Sequence, residues 1–187
     1  MSERADIYWF CGLSGSGKST IAQAAAERLV AAGRRVLVLD GDEVRQRLHQ
    51  TLGFSRDDII ENNCRITEIC AAERDGYDVI LVPIIAPFHE SRVASRRSLA
   101  PSFRLVWCDA DVSIVASRDV KGLYAMADRG KITDLIGYSP NGVPFEAPDD
   151  ADIVLKTGQD DVARSVEEFC AAVDAALPAE TEILADR

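Results

Sequence analysis

Short, continuously apolar runs alternate along this chain with longer stretches of helical period. Ile7-Tyr8-Trp9-Phe10-Cys11 is apolar at every position and stops at Gly12, as a strand buried on both faces would. Ser19 to Ala32 carries Ile21, Ala25, Leu29 and Val30 on one face, and Gly33 follows where a helix C-cap belongs. Val36 to Leu39 reads as a second strand ending at Asp40-Gly41-Asp42. Asp42 to about Thr51 is expected as a short helix, and Asp57 to Asp75 as a longer one closed by Gly76. Val79 to Val82, halted by Pro83, is the third strand, His89 to Leu99 a helix, and Phe103 to Cys108 the fourth strand. Asp111 to Arg118 reads as a helix with Asp111 near its N-cap. Residues 120–150 lack a strong period and are rich in Gly and Pro, so they are expected as one long mobile segment of a functional kind. Ile153 to Leu155 makes a fifth strand and Asp160 to Leu177 the last helix. Strands alternating with helices imply an α/β fold of three layers, a parallel sheet with helices on both faces. One domain over residues 1–178 is expected, with a weakly specified tail at 179–187.

Composition narrows the function more than the fold. Among 187 residues there are 31 Asp+Glu and 21 Lys+Arg, a formal charge of −10. An acidic surface of that kind is unsuited to general nucleic-acid binding, so no such partner is expected. No uncharged apolar run approaches the ~18 residues of a membrane span. No apolar stretch follows the charged N-terminus in the manner of a secretory signal. A cytoplasmic protein with no membrane partner is therefore expected, and a homodimer is the assembly left open. Five cysteines without a C-x-x-C spacing read as small buried hydrophobes. His49 and His89 lie far apart, which argues against a histidine metal centre and suits two surface residues.

The strongest motif is Gly12-Leu13-Ser14-Gly15-Ser16-Gly17-Lys18-Ser19, which fits G-x-x-x-x-G-K-[ST] and falls between a strand and a helix. Glycines there let backbone N–H groups turn inward around phosphate oxygens, and the following helix aims its positive end at the same oxygens. Lys18 can then bridge the β- and γ-phosphates of ATP, and Ser19 can place its hydroxyl on Mg²⁺. Asp40 and Asp42 end the second strand, in the crevice where parallel sheets bind ligands. A phosphoryl acceptor needs a carboxylate to orient its hydroxyl and take its proton, and Mg²⁺ needs acidic or water ligands; one aspartate could serve each need. A turn residue and a helix cap are the plain alternative for the pair. Arg45, one helical turn past Asp42, points to an anionic acceptor.

The phosphate loop GLSGSGKST together with LDGDEVRQRL, LGFS, EN..RI, PF..SR...R, RDVKGLY and L-K-T resembles the adenylyl-sulfate kinases over about residues 6–158. That resemblance implies a P-loop kinase with five parallel strands in the order 2-3-1-4-5 and a mobile lid at about 120–150. ATP with Mg²⁺ would phosphorylate the ribose 3′-hydroxyl of adenylyl sulfate. By position, Asp42 would be the acceptor-orienting carboxylate, with Lys18 and Asp40 completing the catalytic group and Ser19 and Asp40 holding the metal. ATP would be held by Gly12, Ser14, Gly15, Ser16, Gly17, Lys18, Ser19 and Thr20, with Arg118 against the adenine and Lys156 and Thr157 closing the donor pocket. Arg45, Phe54, Asn62, Arg65, Ile85 and Leu135 would meet the acceptor nucleotide.

Departures from the family pattern fall on the acceptor side. Asp58-Ile59 stands where the family has Asp-Arg, the arginine gripping the acceptor's anionic group. Leu135 replaces a stacking phenylalanine, Thr133 a lysine, and Ala86 the serine before Pro87-Phe88. A charge-assisted hydrogen bond is worth about 1.5–3 kcal/mol and an aromatic stack about 0.5–1.5 kcal/mol. Their loss weakens acceptor binding by roughly thirty- to two-thousand-fold. Arg92, Arg96, Arg129 or Lys131 compensates, or the acceptor is another nucleotide such as cytidine diphosphoramidate, whose neutral phosphoramidate needs no arginine. A non-catalytic ATP-binding regulatory protein is the remaining alternative, against which the intact Lys18, Ser19, Asp40 and Asp42 argue.

Overall fold

The computed structural model describes residues 4–48 and 51–176; His49 and the expected 179–187 tail lie outside them. Five strands, β1 (Asp6–Cys11), β2 (Val36–Val38), β3 (Val79–Pro83), β4 (Phe103–Cys108) and β5 (Ile153–Leu155), form one parallel sheet in the order β2-β3-β1-β4-β5. β1 lies at its centre, which is why that run is apolar throughout. Tyr8 and Phe10 point to one face, where they meet Phe169 with ring centroids 5.2 and 5.0 Å apart. Ile7, Trp9 and Cys11 point to the other. The first face is covered by α1 (Lys18–Ala31) and α7 (Val162–Ala176). The second is covered by α3 (Arg56–Glu73) and α4 (His89–Leu99). Three layers result, as the alternating pattern requires.

Local signals account for several helix ends. Gly33 adopts φ +85° just beyond α1, and its N–H bonds the Val30 carbonyl at 2.9 Å. The Ser55 side chain caps α3 by accepting from the Asp58 N–H, and Asp111 caps α5 (Val112–Arg118) by accepting from the Ser113 N–H. α2 spans Gly41–Leu48.

Two expectations need correcting. Residues 120–150 are not one long irregular segment, because α6 (Leu123–Asp128) lies within them. Its first turn is held by Asp119, whose two carboxylate oxygens each accept at 3.0 Å from the N–H groups of Tyr124 and Ala125. A six-residue helix between Gly122 and Gly130 is too short to display a period. Nor are all five cysteines buried: Cys64 is exposed while Cys11, Cys70, Cys108 and Cys170 are buried. Cys64 and Cys70 are six residues apart on α3, about 240° round the helix, so only one of them can face the core.

Candidate active site

All five strands end at the same edge of the sheet, and a cavity of about 760 Å³ opens there. Its floor is the loop between β1 and α1 together with the first residues of α1, from Ser14 to Thr20. Gly15 and Gly17 adopt φ +77° and +95°, which turns successive N–H groups toward the cavity without a side chain in the way. Gly12 lies behind the loop rather than on the wall. At φ +144°, a Cβ there would sit 2.7 Å from both the Cys108 carbonyl oxygen and Ser16 Oγ. Lys18 is buried and folds back over the loop, its Nζ donating to the carbonyls of Gly12 at 2.9 Å and Leu13 at 2.7 Å. Burial pushes its pKa down to about 8, with the neighbouring Lys121 charge acting in the same sense.

Asp40 and Asp42 are placed by the turn from β2 into α2. The Asp40 carboxylate accepts from Ser19 Oγ at 2.6 Å and from the Asp42 N–H at 2.9 Å. A hydroxyl and a carboxylate side by side at the start of α1 are hard oxygen donors of the kind Mg²⁺ takes, so the residues present fit that ion. Asp42 is exposed to the cavity and paired with Lys121, which reaches across from the loop ahead of α6. The carboxylate thus faces a cation and open space a short way from the phosphate loop.

On one side of Asp42 the wall is formed by Arg45, Phe54, Ile59, Asn62, Ile85 and Leu135. Arg45 is half-buried and donates to the carbonyls of Leu52 at 3.0 Å and Gly53 at 2.6 Å, with its guanidinium 4.7 Å from the Phe54 ring centroid. Ile59 is 3% exposed and packs in an apolar cluster with Phe88 and Ile136. On the opposite side Arg118 and Thr157 reach the wall, tied together by a bond of 2.8 Å from Arg118 Nη2 to the Thr157 carbonyl. Thr157 Oγ1 is buried and has no hydrogen-bond partner among the described residues.

Besides Gly12, two residues expected from the sequence to form the site, Arg65 and Lys156, are not brought to the cavity. Arg65 turns along α3 and pairs with Glu61 one turn back, Nε to Oε1 at 2.6 Å. Lys156 donates to Asp109 at 2.7 Å and lies 6.0 Å from the Trp107 ring centroid. Adjacent residues leaving a strand point to opposite sides, so placing Thr157 on the wall turns Lys156 away. Conversely, Asn63, Ile84, Asp134, Asp160 and Ser165 line the cavity without having been singled out. Asn63 is the next residue after Asn62 on α3, and Asp160 lies three residues past Thr157, beyond the end of β5; proximity to a marked residue is the only signal for either. Arg92, one of the cations expected to compensate on the acceptor side, is 2% exposed and does not line the cavity. Arg96 pairs with Asp152 at 2.9 Å outside the cavity.

Comparison with known proteins identifies the family. The family model for adenylylsulphate kinase matches residues 4–156. The adenylyl-sulfate kinase of Clostridium kluyveri is 39% identical over 166 residues, covering 89% of this chain and 82% of that protein. The corresponding enzyme of Paraburkholderia xenovorans is 39% identical over 168 residues, covering 90% and 92%. The solved structure of the Mycobacterium tuberculosis APS kinase CysC, a complex with AMPPNP and APS, matches with a TM-score of 0.84 at 34% identity and covers 91% of this chain and 98% of that one. With the phosphate loop, the paired aspartates and the sheet order all in place, the chain belongs to the adenylyl-sulfate kinase family.

Proposed function

We propose that this chain transfers the γ-phosphoryl group of ATP to the ribose 3′-hydroxyl of adenylyl sulfate, giving 3′-phosphoadenylyl sulfate and ADP. The observation that carries the reading is the placement of the Asp42 carboxylate on the cavity wall beside the phosphate loop that carries Lys18. In the reaction the acceptor oxygen forms a bond to the γ-phosphorus while the bond from that phosphorus to the β,γ-bridging oxygen breaks. Asp42 accepts the hydroxyl proton, and the backbone N–H groups of the loop and Lys18 hold the phosphate oxygens. Lys18 exchanges its bonds to the Gly12 and Leu13 carbonyls for phosphate oxygens. When bound, Mg²⁺ supplies charge neutralisation at the β- and γ-phosphates, and Ser19 and Asp40 are the residues that would hold it. The unpartnered Thr157 hydroxyl and Arg118 suit the adenine of ATP; Arg45, Phe54, Asn62, Ile85 and Leu135 suit the acceptor nucleotide. Residues 120–150 act as the lid that excludes water once both nucleotides are bound.

A second reading keeps the chemistry and changes the acceptor. Ile59 closes the acceptor side with a buried apolar cluster instead of a cation, which suits a nucleotide with a less anionic distal group, such as cytidine diphosphoramidate. One assay separates the two: turnover with ATP and Mg²⁺ on adenylyl sulfate, on cytidine diphosphoramidate and on plain nucleotides, for the wild-type protein and Asp42→Asn. The leading proposal expects adenylyl sulfate to give the highest kcat/KM. It also expects the asparagine variant to lose at least a hundredfold in kcat with ATP affinity within threefold. Turnover of the cytidine nucleotide with none of adenylyl sulfate overturns the acceptor; full activity of Asp42→Asn overturns the mechanism.

A further inference from the structure

A buried cation behind the acceptor wall has no role in the mechanism above. Arg92 is on the first turn of α4 and only 2% exposed, among the largest fully buried side chains of the protein. Among the described residues no carboxylate lies within ion-pair distance of it, and its Nε has no hydrogen-bond partner. Its one side-chain hydrogen bond among the described residues runs from Nη1 to the Ala86 carbonyl at 2.8 Å. Burying a guanidinium with so little compensation is costly, and stability alone gives no reason for it.

What the bond fixes is the turn after β3. Ala86 has φ +45°, a left-handed conformation that a residue with a Cβ seldom adopts unless its surroundings impose it. The turn, residues 84–87, lies on the cavity wall and touches three separate parts of the site. Its Ile85 carbonyl accepts from the Gly12 N–H of the phosphate loop at 3.3 Å. Ile84 Cγ2 lies 2.7 Å from where a Cβ on Gly41 would be, so the turn presses on the residue between Asp40 and Asp42. The Pro87 carbonyl accepts from the Glu146 N–H at 2.9 Å, near the end of the segment that covers the cavity. A single clamp on Ala86 thus sets a wall in contact with the phosphate loop, the paired acids and the covering segment. Arg92 itself does not reach the cavity.

We propose that Arg92 is a positioning residue for the acceptor. Its guanidinium holds the Ala86 carbonyl so that Ile84 and Ile85 fix Asp42 and the acceptor wall in register with the phosphate loop. An arginine kept for stability would behave differently from one kept for this purpose. Arg92→Met removes the clamp and the uncompensated charge together, so the melting temperature should stay within about 3 °C of wild type, because loss of the bond and relief of the buried charge oppose each other. The Michaelis constant for the acceptor should rise at least tenfold while that for ATP stays within twofold. Arg92→Lys, which can still donate one bond to Ala86, should recover at least half of that loss on a logarithmic scale. Ala86→Gly, which frees the turn from the other end of the clamp, should raise the acceptor constant at least threefold and leave ATP alone.

The measurement is steady-state kinetics with ATP varied against adenylyl sulfate and against cytidine diphosphoramidate, alongside thermal melts, for all four proteins. Equal changes in both Michaelis constants, no change in either, a lysine variant no better than methionine, or an Arg92→Met protein that does not fold would each overturn the assignment. The proposal rests on the kinase reading, and the two fail differently. Wild-type protein inert with both acceptors overturns the reading and the proposal together, whereas an active wild type with unaffected variants overturns the proposal alone.

Discussion

Lys121 and Asp42 are separated by 79 positions in sequence and meet across the cavity mouth. Both side chains are more than half exposed, so solvent screens the pair and it contributes at most about 1 kcal/mol to stability. A bound triphosphate would change its surroundings, because the γ-phosphate would bring a competing anion close to the ammonium. Lys121→Ala should therefore leave the melting temperature within about 2 °C while lowering kcat by roughly 10- to 150-fold, the worth of one charge-assisted bond of about 1.5–3 kcal/mol. Thermal melts and initial rates on the same preparation check both halves. Gly12 is the opposite case, a residue whose side chain is excluded by the fold. An alanine there would carry its Cβ into the Cys108 carbonyl and Ser16 Oγ, and would hold φ +144° at a further cost of about 1–3 kcal/mol. Gly12→Ala should lose at least about 5 °C in melting temperature together with measurable ATP binding.

Between elements, the seam of α3 and α4 is polar as well as apolar. Asn63 Nδ2 donates to Ser91 Oγ at 3.0 Å, and the hydroxyls of Thr67 and Ser95 share a bond of 2.8 Å one turn further along. Thr67 Oγ1 also donates to the Asn63 carbonyl at 2.8 Å. Thr67→Val keeps the shape and removes the hydroxyl, so it should cost about 0.5–1.5 kcal/mol. A fall of about 2–5 °C in melting temperature, with the Michaelis constant for ATP unchanged, is the expected result. Sequence reasoning could not see this seam, because Asn, Thr and Ser on helices look like solvated positions until a second helix is packed against them. What it could see were features set by local rules. The apolar runs that became the five strands, the Gly33 stop, the Asp111 cap and the phosphate loop all follow from backbone geometry within a few residues. The residues it misplaced depend on contacts made at a distance. Lys156, just past the end of β5, is turned from the wall and held by Asp109, and Arg65 is drawn to Glu61. Arg92 is buried by a turn whose shape no pattern of residues announces.

Across the whole molecule the thiols report how tightly the two faces of the sheet are sealed. Burial pushes the pKa values of Cys11, Cys70 and Cys108 each up to about 12, and that of Cys170 up as well. Cys64 alone is exposed. At pH 8 in native buffer, a chromogenic disulfide reagent should therefore release one equivalent quickly, and five after denaturation. A second fast equivalent would show that one of the cores is open. The same shifts set the response to alkali. A thiol whose folded pKa lies above its unfolded value of 9.0 stabilises the protein fully below that value, and the benefit is lost as pH rises toward 12. Tyr124, pushed by burial up to about 12, acts in the same sense above pH 10. Lys18 opposes them: its folded pKa is lowered from 10.5 to about 8, so the cost of burying its charge is relieved as pH rises through that window. The single lysine acts first and the four buried thiols and the Tyr124 phenol afterwards. In the absence of nucleotide, the urea midpoint should hold or rise slightly from pH 8 to 9 and then fall from about 9.5 upward. Saturating ATP should abolish the rise and leave the fall, because phosphate oxygens keep Lys18 charged but do nothing for a thiol sealed behind β1 and β4.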